Sequence, residues 1–136
     1  MQPAQAREFL RSNHRAVLAT ARAGGRPQLS PVTCAVAPSG AVLISTRETA
    51  IKTRNLRRDP HASLCVFTDG FFGPWVQIDG DVEIISLPEA MDGLVEYYRL
   101  VAGEHPDWDE YRAAMVAERR CLLRIEVTRA GPDISG

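Results

Sequence analysis

The stretch Arg15-Ala16-Val17-Leu18-Ala19-Thr20-Ala21-Arg22, followed by Ala23-Gly24-Gly25-Arg26-Pro27 and then Gln28 to Val36, decides the fold. The first segment reads as a strand. The second reads as a hairpin turn whose glycines accept positive φ, and the third as the partner strand. Pro31 lies inside that partner. A proline cannot donate to a ladder, so it implies a bulge or an edge position. Ala37-Pro38-Ser39-Gly40 makes a second turn and Ala41-Val42-Leu43-Ile44-Ser45 a third strand. Turns this short join antiparallel neighbours.

Upstream, residues 3–13 carry helical spacing, with Phe9 and Leu10 on one side. Downstream, residues 48–58 read as a helix closed by Asp59-Pro60, because a proline disfavours helix at the residue before it. Ala62 to Phe67 is a strand and Thr68 to Pro74 a glycine-rich turn. Trp75 to Ile85 alternates, with Gly80 marking a bulge or a barrel corner. Pro88 suits the first turn of a helix reaching Ala102, and Asp107 can cap another reaching Glu118. Cys121 to Val127 is a closing strand, and Thr128 to Gly136 a loose tail. The total is about six strands and about four short helices. Strands come first, so the order argues against alternating βαβ units. It favours a mainly β fold, a small antiparallel barrel with helices at its ends. Residues 1–136 are expected to form one domain.

Bulk properties exclude several classes. A net charge of −1 gives no bulk attraction to nucleic acid or to a membrane surface. No apolar run approaches a membrane span, and the start of the chain is polar, so a cytoplasmic protein is expected. Cys34, Cys65 and Cys121 are far apart, show no CxxC spacing, and read as small buried thiols of a reducing compartment. With His14, His61 and His105 they form no metal pattern.

Lys52 is the only lysine; the other 15 of the 16 basic residues are arginine. It stands at the start of the helix-like run, just after a strand. A helix start presents free backbone N–H groups and a positive dipole end, which favour an anion and above all a phosphate. Ser45 and Thr46 at the strand end add hydroxyls, and Asn55 follows Lys52 at i+3, on the same face. The same spacing also describes a solvated amphipathic helix with Ile51 and Leu56 packed inward.

Phosphate loops of the Walker kind, the GxGxxG fingerprint and the GxSxG elbow are all absent from the sequence. Trp75 opens an alternating strand and suits either core packing or stacking on a planar ligand. Trp108, Tyr111 and Met115 have helical spacing that fits packing of a helix on the barrel, and Arg119-Arg120 reads as a solvated helix end.

Leu18-Ala19-Thr20, Gly25-Arg26-Pro27-Gln28-Leu29-Ser30, Ile44-Ser45-Thr46 and Lys52-Thr53-Arg54-Asn55-Leu56-Arg57-Arg58-Asp59-Pro60 together resemble the flavin and deazaflavin split-barrel oxidoreductases. These are the relatives of pyridoxamine 5′-phosphate oxidase. The segment Ala102 to Arg112 resembles their actinobacterial branch, described as deazaflavin (F420)-dependent enzymes. The similarity runs over residues 5–127, and the string from Lys52 to Pro60 is its most specific part.

The resemblance implies a six-stranded antiparallel split barrel, the FMN-binding split barrel, assembled as a homodimer with cofactor sites at the interface. It implies that Lys52 grips the cofactor phosphate, with Ser45, Thr46 and Asn55 nearby. Gln28 and Ser30 would face the ring system, and Trp75 and Gln77 would approach from the later strand. The implied activity is hydride transfer between reduced F420 and an unsaturated small organic substrate. FMN is the alternative cofactor, and a non-catalytic carrier of a cofactor or tetrapyrrole the alternative role. Ala50 stands where close relatives often carry an arginine, with Arg47 as a possible substitute, and Pro31 stands where a hydrogen-bonding residue is common.

Overall fold

The computed structural model describes residues 1–132 and contains four helices and seven strands. Helix α1 (Pro3–Ser12) precedes the hairpin of β1 (Arg15–Ala21) and β2 (Pro27–Thr33), which pair antiparallel from Arg15↔Thr33 to Ala21↔Pro27. Then come β3 (Ala35–Val36), β4 (Val42–Arg47), α2 (Ile51–Arg58), β5 (His61–Phe67) and β6 (Trp75–Ile85). Helices α3 (Met91–Ala102) and α4 (Trp108–Ala117) form a pair before β7 (Arg120–Ala130). Asp107 caps α4, as the sequence predicts, accepting from the Asp109 and Glu110 amides at 3.1 Å each. No helix among the described residues is long and apolar enough to cross a membrane.

One antiparallel sheet runs in the order β2-β1-β5-β6-β7-β4-β3. Its two outermost strands, β2 and β3, are consecutive in the chain and separated only by Cys34. A sheet whose opposite edges are joined by one residue must roll up, and so the barrel follows from topology alone. Cys34 is held at that joint from both sides. Its amide donates to the His14 carbonyl at 2.8 Å, and its carbonyl accepts from His14 Nδ1 at 2.8 Å.

This joint corrects the strand count. Gln28 to Val36 is two strands rather than one, making seven in all. The run Cys34-Ala35-Val36-Ala37 is buried throughout, so its composition reads as strand on either side of the break. Only the partner changes, from β1 to β4. Pro31 lies on the edge strand, as expected. Helix α3 starts at Met91, with Pro88 in the turn before it, and β7 extends through Ala130 into the expected tail. Positions 133–136 of that tail lie outside the described residues.

Alternation fills the barrel. Leu18, Leu64, Val66, Ile78, Ile44, Leu123 and Ile125 are fully buried inside it, and Ala6 and Leu10 of α1 plug one end. Each such leucine or isoleucine contributes roughly 1.5–3 kcal/mol by leaving water. On the outside of β4 and β7, Leu43 and Leu122 pack under Leu94, Val95, Tyr111 and Met115, with Trp108 against them. That is the helix-on-barrel contact the spacing of Trp108, Tyr111 and Met115 predicts. Gly80 sits at a register shift in the β6–β7 ladder, with Asp79 opposite Arg129 and Gly80 opposite Val127. A Cβ on Gly80 would lie 2.5 Å from the Glu126 carbonyl oxygen, so only glycine fits this bulge.

Candidate functional site

No ladder joins β2 to β4 among the described residues, and the barrel is open along that seam. A cleft of about 520 Å³ occupies the opening. Pro31, Val32 and Thr33 of β2 form one lip, and Ser45, Thr46 and Arg47 of β4 the other. Ala50 and Lys52 close one end, and Tyr97 of α3 and Arg120 of β7 complete the wall.

The start of α2 faces this cleft. Ala50 is its N-cap and has no side chain able to accept, and the first helical bond runs from the Arg54 amide to the Ala50 carbonyl at 3.1 Å. The first-turn amides are therefore left for an outside acceptor. The corner before the helix is fixed, because Thr53 Oγ1 donates to the Arg47 carbonyl at 2.7 Å.

Lys52 is half-buried, and no carboxylate lies within ion-pair distance of it among the described residues. Burial, and then the positive charge of Arg120, lower its pKa from the ordinary lysine value. Arg47 and Arg120 share one carboxylate oxygen. Glu118 Oε1 accepts from Arg47 Nη2 at 3.4 Å and from Arg120 Nε and Nη2 at 3.1 and 2.9 Å. The Arg120 guanidinium, followed by Arg47, holds the Glu118 carboxyl below the usual range. Three cations thus stand around the cleft with one carboxylate among them. The Tyr97 hydroxyl donates to the Thr33 carbonyl at 3.0 Å, and burial pushes this phenol up, so it stays neutral.

The structure therefore brings Ser45, Thr46 and Lys52 together, and it does not bring the remaining candidates to them. Asn55 is buried. Its Nδ2 donates to Thr20 Oγ1 at 3.1 Å, and its Oδ1 accepts from Arg58 at 3.1 Å. Thr20 Oγ1 in turn donates to Gln28 Oε1 at 3.4 Å, so Asn55 and Gln28 belong to one polar chain from α2 across β1 to β2. Ser30 Oγ is buried without a hydrogen-bond partner. Gln77 Nε2 donates to Asp79 at 3.3 Å on β6. Trp75 lines a separate apolar cavity of about 700 Å³ with Phe9, Phe71 and Phe72.

Sequence reasoning missed Arg120 and Tyr97. Arg120 was expected on a solvated helix end, but it is the first residue of β7, in register with Arg47. That pairing is the signal, and it exists only once the strand order is known.

The histidines and thiols offer no nucleophile here. His14 is bonded to Cys34, His61 to Asp59 at 2.6 Å, and His105 Nδ1 accepts from the Asp107 amide at 2.9 Å. All three cysteines are free, and burial pushes Cys34 to about 12 and Cys121 to about 11 and raises Cys65.

The family model described as pyridoxamine 5′-phosphate oxidase matches residues 2–131. The chain belongs to the pyridoxamine 5′-phosphate oxidase family. Among solved structures, it is similar to the conserved hypothetical protein Rv2991 from Mycobacterium tuberculosis, with 26% identity and a TM-score of 0.77 over 100% of this chain and 92% of that one. A structure named F420 reductase matches with 18% identity and a TM-score of 0.70, over 91% of this chain and 94% of that one. A heme binding protein from Mycobacterium smegmatis matches with 23% identity and a TM-score of 0.70, over 96% of this chain and 53% of that one. The last two likenesses speak to the fold alone. The cleft is lined by groups that suit an anion: an uncapped helix start, an ammonium with no carboxylate partner among the described residues, guanidinium groups, and Ser45 and Thr46.

Proposed function

We propose that this protein is an F420-dependent oxidoreductase that transfers a hydride between reduced deazaflavin and an unsaturated organic molecule. The observation that carries the reading is the cationic cleft in the open seam of a pyridoxamine 5′-phosphate oxidase-family barrel. The donor set fits a cofactor whose phosphate sits on a ribityl-type chain. Lys52 and the α2 amides hold the phosphate, and Ser45 and Thr46 donate hydroxyls to it. When bound, the deazaflavin supplies the hydride chemistry, and the protein supplies binding, orientation and electrostatics. The free edge of β2 offers backbone donors and acceptors to a planar ring, and Tyr97 presents a neutral phenol beside it.

The reading includes a homodimer with cofactor sites at its interface. Val17, Ala19, Ser63 and Cys65 on the outward face of β1 and β5 are small and half-exposed, which suits cover by a second copy. Light scattering coupled to size exclusion tests it; a mass of one chain, 15.0 kDa, removes the dimer.

FMN is the second reading, because the same cradle serves a phosphomonoester. Titration of the purified protein with F420 and, separately, with FMN decides between them, read by cofactor fluorescence. A Kd of about 1 μM or tighter for F420 alone supports the reductase. Preference for FMN moves the assignment to a flavin enzyme, and binding of neither removes the proposed function. A tetrapyrrole carrier has less support, since each histidine is hydrogen-bonded away from the cleft.

A further inference from the structure

We infer that Arg120 is a phosphate-binding residue of the cleft, held in place by Glu118 and selecting phosphorylated over unphosphorylated forms of the cofactor. The inference rests on the proposed cofactor site and deepens it.

Four observations converge on Arg120. Its side chain is 26% exposed, less than the 57% of Arg47. Glu118 Oε1 takes its Nε and Nη2, which fixes the guanidinium plane and leaves Nη1 without a hydrogen-bond partner among the described residues. The backbone leading to it is set in an unusual conformation: Arg119 has φ 54°, in the left-handed region, and its carbonyl accepts from the Glu48 amide at 2.9 Å. That bond ties the α4–β7 corner to the β4–α2 corner, so Arg120 and Lys52 line the cleft on one connected frame.

The charge count then names the occupant. Burial first, and then repulsion from Arg120, lower the Lys52 pKa. Glu118 offsets one of the two arginine charges and does not touch Lys52, so the three cations keep a net excess of two positive charges. An anion with several oxygens, bound by both ammonium and guanidinium, relieves that repulsion and takes both kinds of donor, a point charge from Lys52 and the remaining Nη1 donors of Arg120. A phosphate ester fits this description. The ring systems of flavins and deazaflavins do not, since any charge they carry is delocalised over the ring and not concentrated on clustered oxygens.

The test uses the full-length protein and two matched pairs of probes: FMN with riboflavin, and F420 with its phosphate-free deazaflavin chromophore. In Arg120→Gln, the Kd of the phosphorylated member should rise by about tenfold or more, and that of its partner should not change. Arg120→Lys should recover part of the loss. Glu118→Gln should weaken the phosphorylated member by a smaller factor, because Arg120 keeps its charge and loses its brace. If Arg120→Gln keeps the wild-type ratio of the two affinities, the inference falls and the cofactor site stands. If Arg120→Gln does not fold, the comparison is made on Arg120→Ala, which also removes the charge and where an unchanged ratio has the same meaning. If the wild type shows no preference for either phosphorylated probe, the proposed site falls, and the assignment of Arg120 with it.

Discussion

The β6–β7 seam and the β2–β4 seam close one barrel in opposite ways. The first is a continuous ladder from Ile78↔Ala130 to Ile85↔Leu122, with Leu123 and Ile125 fully buried behind it and a single bulge at Gly80. The second has no ladder and is lined by hydroxyls and cations. Stability is concentrated where the chain pairs, and the proposed binding site lies where it does not. An open seam leaves backbone groups, helix amides and charges without internal partners, and that is the condition for a polar ligand to be held.

The largest blow to this comparison comes from the closed seam. Ile125→Ala should destabilise the fold by about 2–5 kcal/mol, the usual cost of emptying a core site. Urea unfolding measures it, and a loss below about 1 kcal/mol would mean that the ladder and not its side chains holds the seam.

At the open seam the effects should reverse. Lys52→Ala should leave folding stability unchanged or slightly raised, since the ammonium is desolvated and unpaired. It should weaken F420 or FMN binding by about 1.5–3 kcal/mol, one charge-assisted contact. The pH dependence has a defined sign. The folded-state pKa of Lys52 lies below the ordinary 10.5. Phosphate affinity should therefore fall as pH rises through that lowered value, while the unliganded fold loses the cost of a desolvated charge over the same window. Affinity flat until pH exceeds 10.5 would show that Lys52 is not at the phosphate.

Asn55→Ala joins the two regions. It leaves the buried Thr20 hydroxyl without its donor and should cost about 1–3 kcal/mol of stability. Cofactor affinity should change less than in Lys52→Ala. A selective loss of affinity with intact stability would put the Asn55 amide on the ligand.

The smallest effect is expected at Arg119→Gly. The left-handed conformation costs a non-glycine residue about 1–2 kcal/mol, and glycine loses about 0.5–1 kcal/mol more entropy on folding. The variant should gain about 0.5 kcal/mol, the difference between those terms, with cofactor affinity retained. Thermal unfolding reads it, and a clear destabilisation would show that the Arg119 side chain itself braces the corner.

What the sequence reveals follows the range of each interaction. Hairpin turns, the alternation from Trp75 to Ile85, the Gly80 bulge and the cap at Asp107 are local, and all are legible. Lys52 is legible as well, because a helix start after a strand is a local event. The break at Cys34 is not, since a strand's own periodicity does not name its partner. Arg120 depends on the β4–β7 pairing, which spans most of the chain. Asn55 shows the limit of helical spacing. Position i+3 shares a face with Lys52, but the face turns inward within one turn, and the amide is consumed by Thr20.

The order of strands also sets a timetable for synthesis. Strand β7 pairs with β6 on one side and β4 on the other, and it begins at Arg120. Until that segment leaves the ribosome, the nascent chain carries two unsatisfied edges, on β4 and β6, around an open apolar face. Such edges recruit other chains. The polypeptide is most exposed to aggregation after β6 and before β7 has emerged, and the strand that brings Arg120 to the cleft is also the one that ends that exposure.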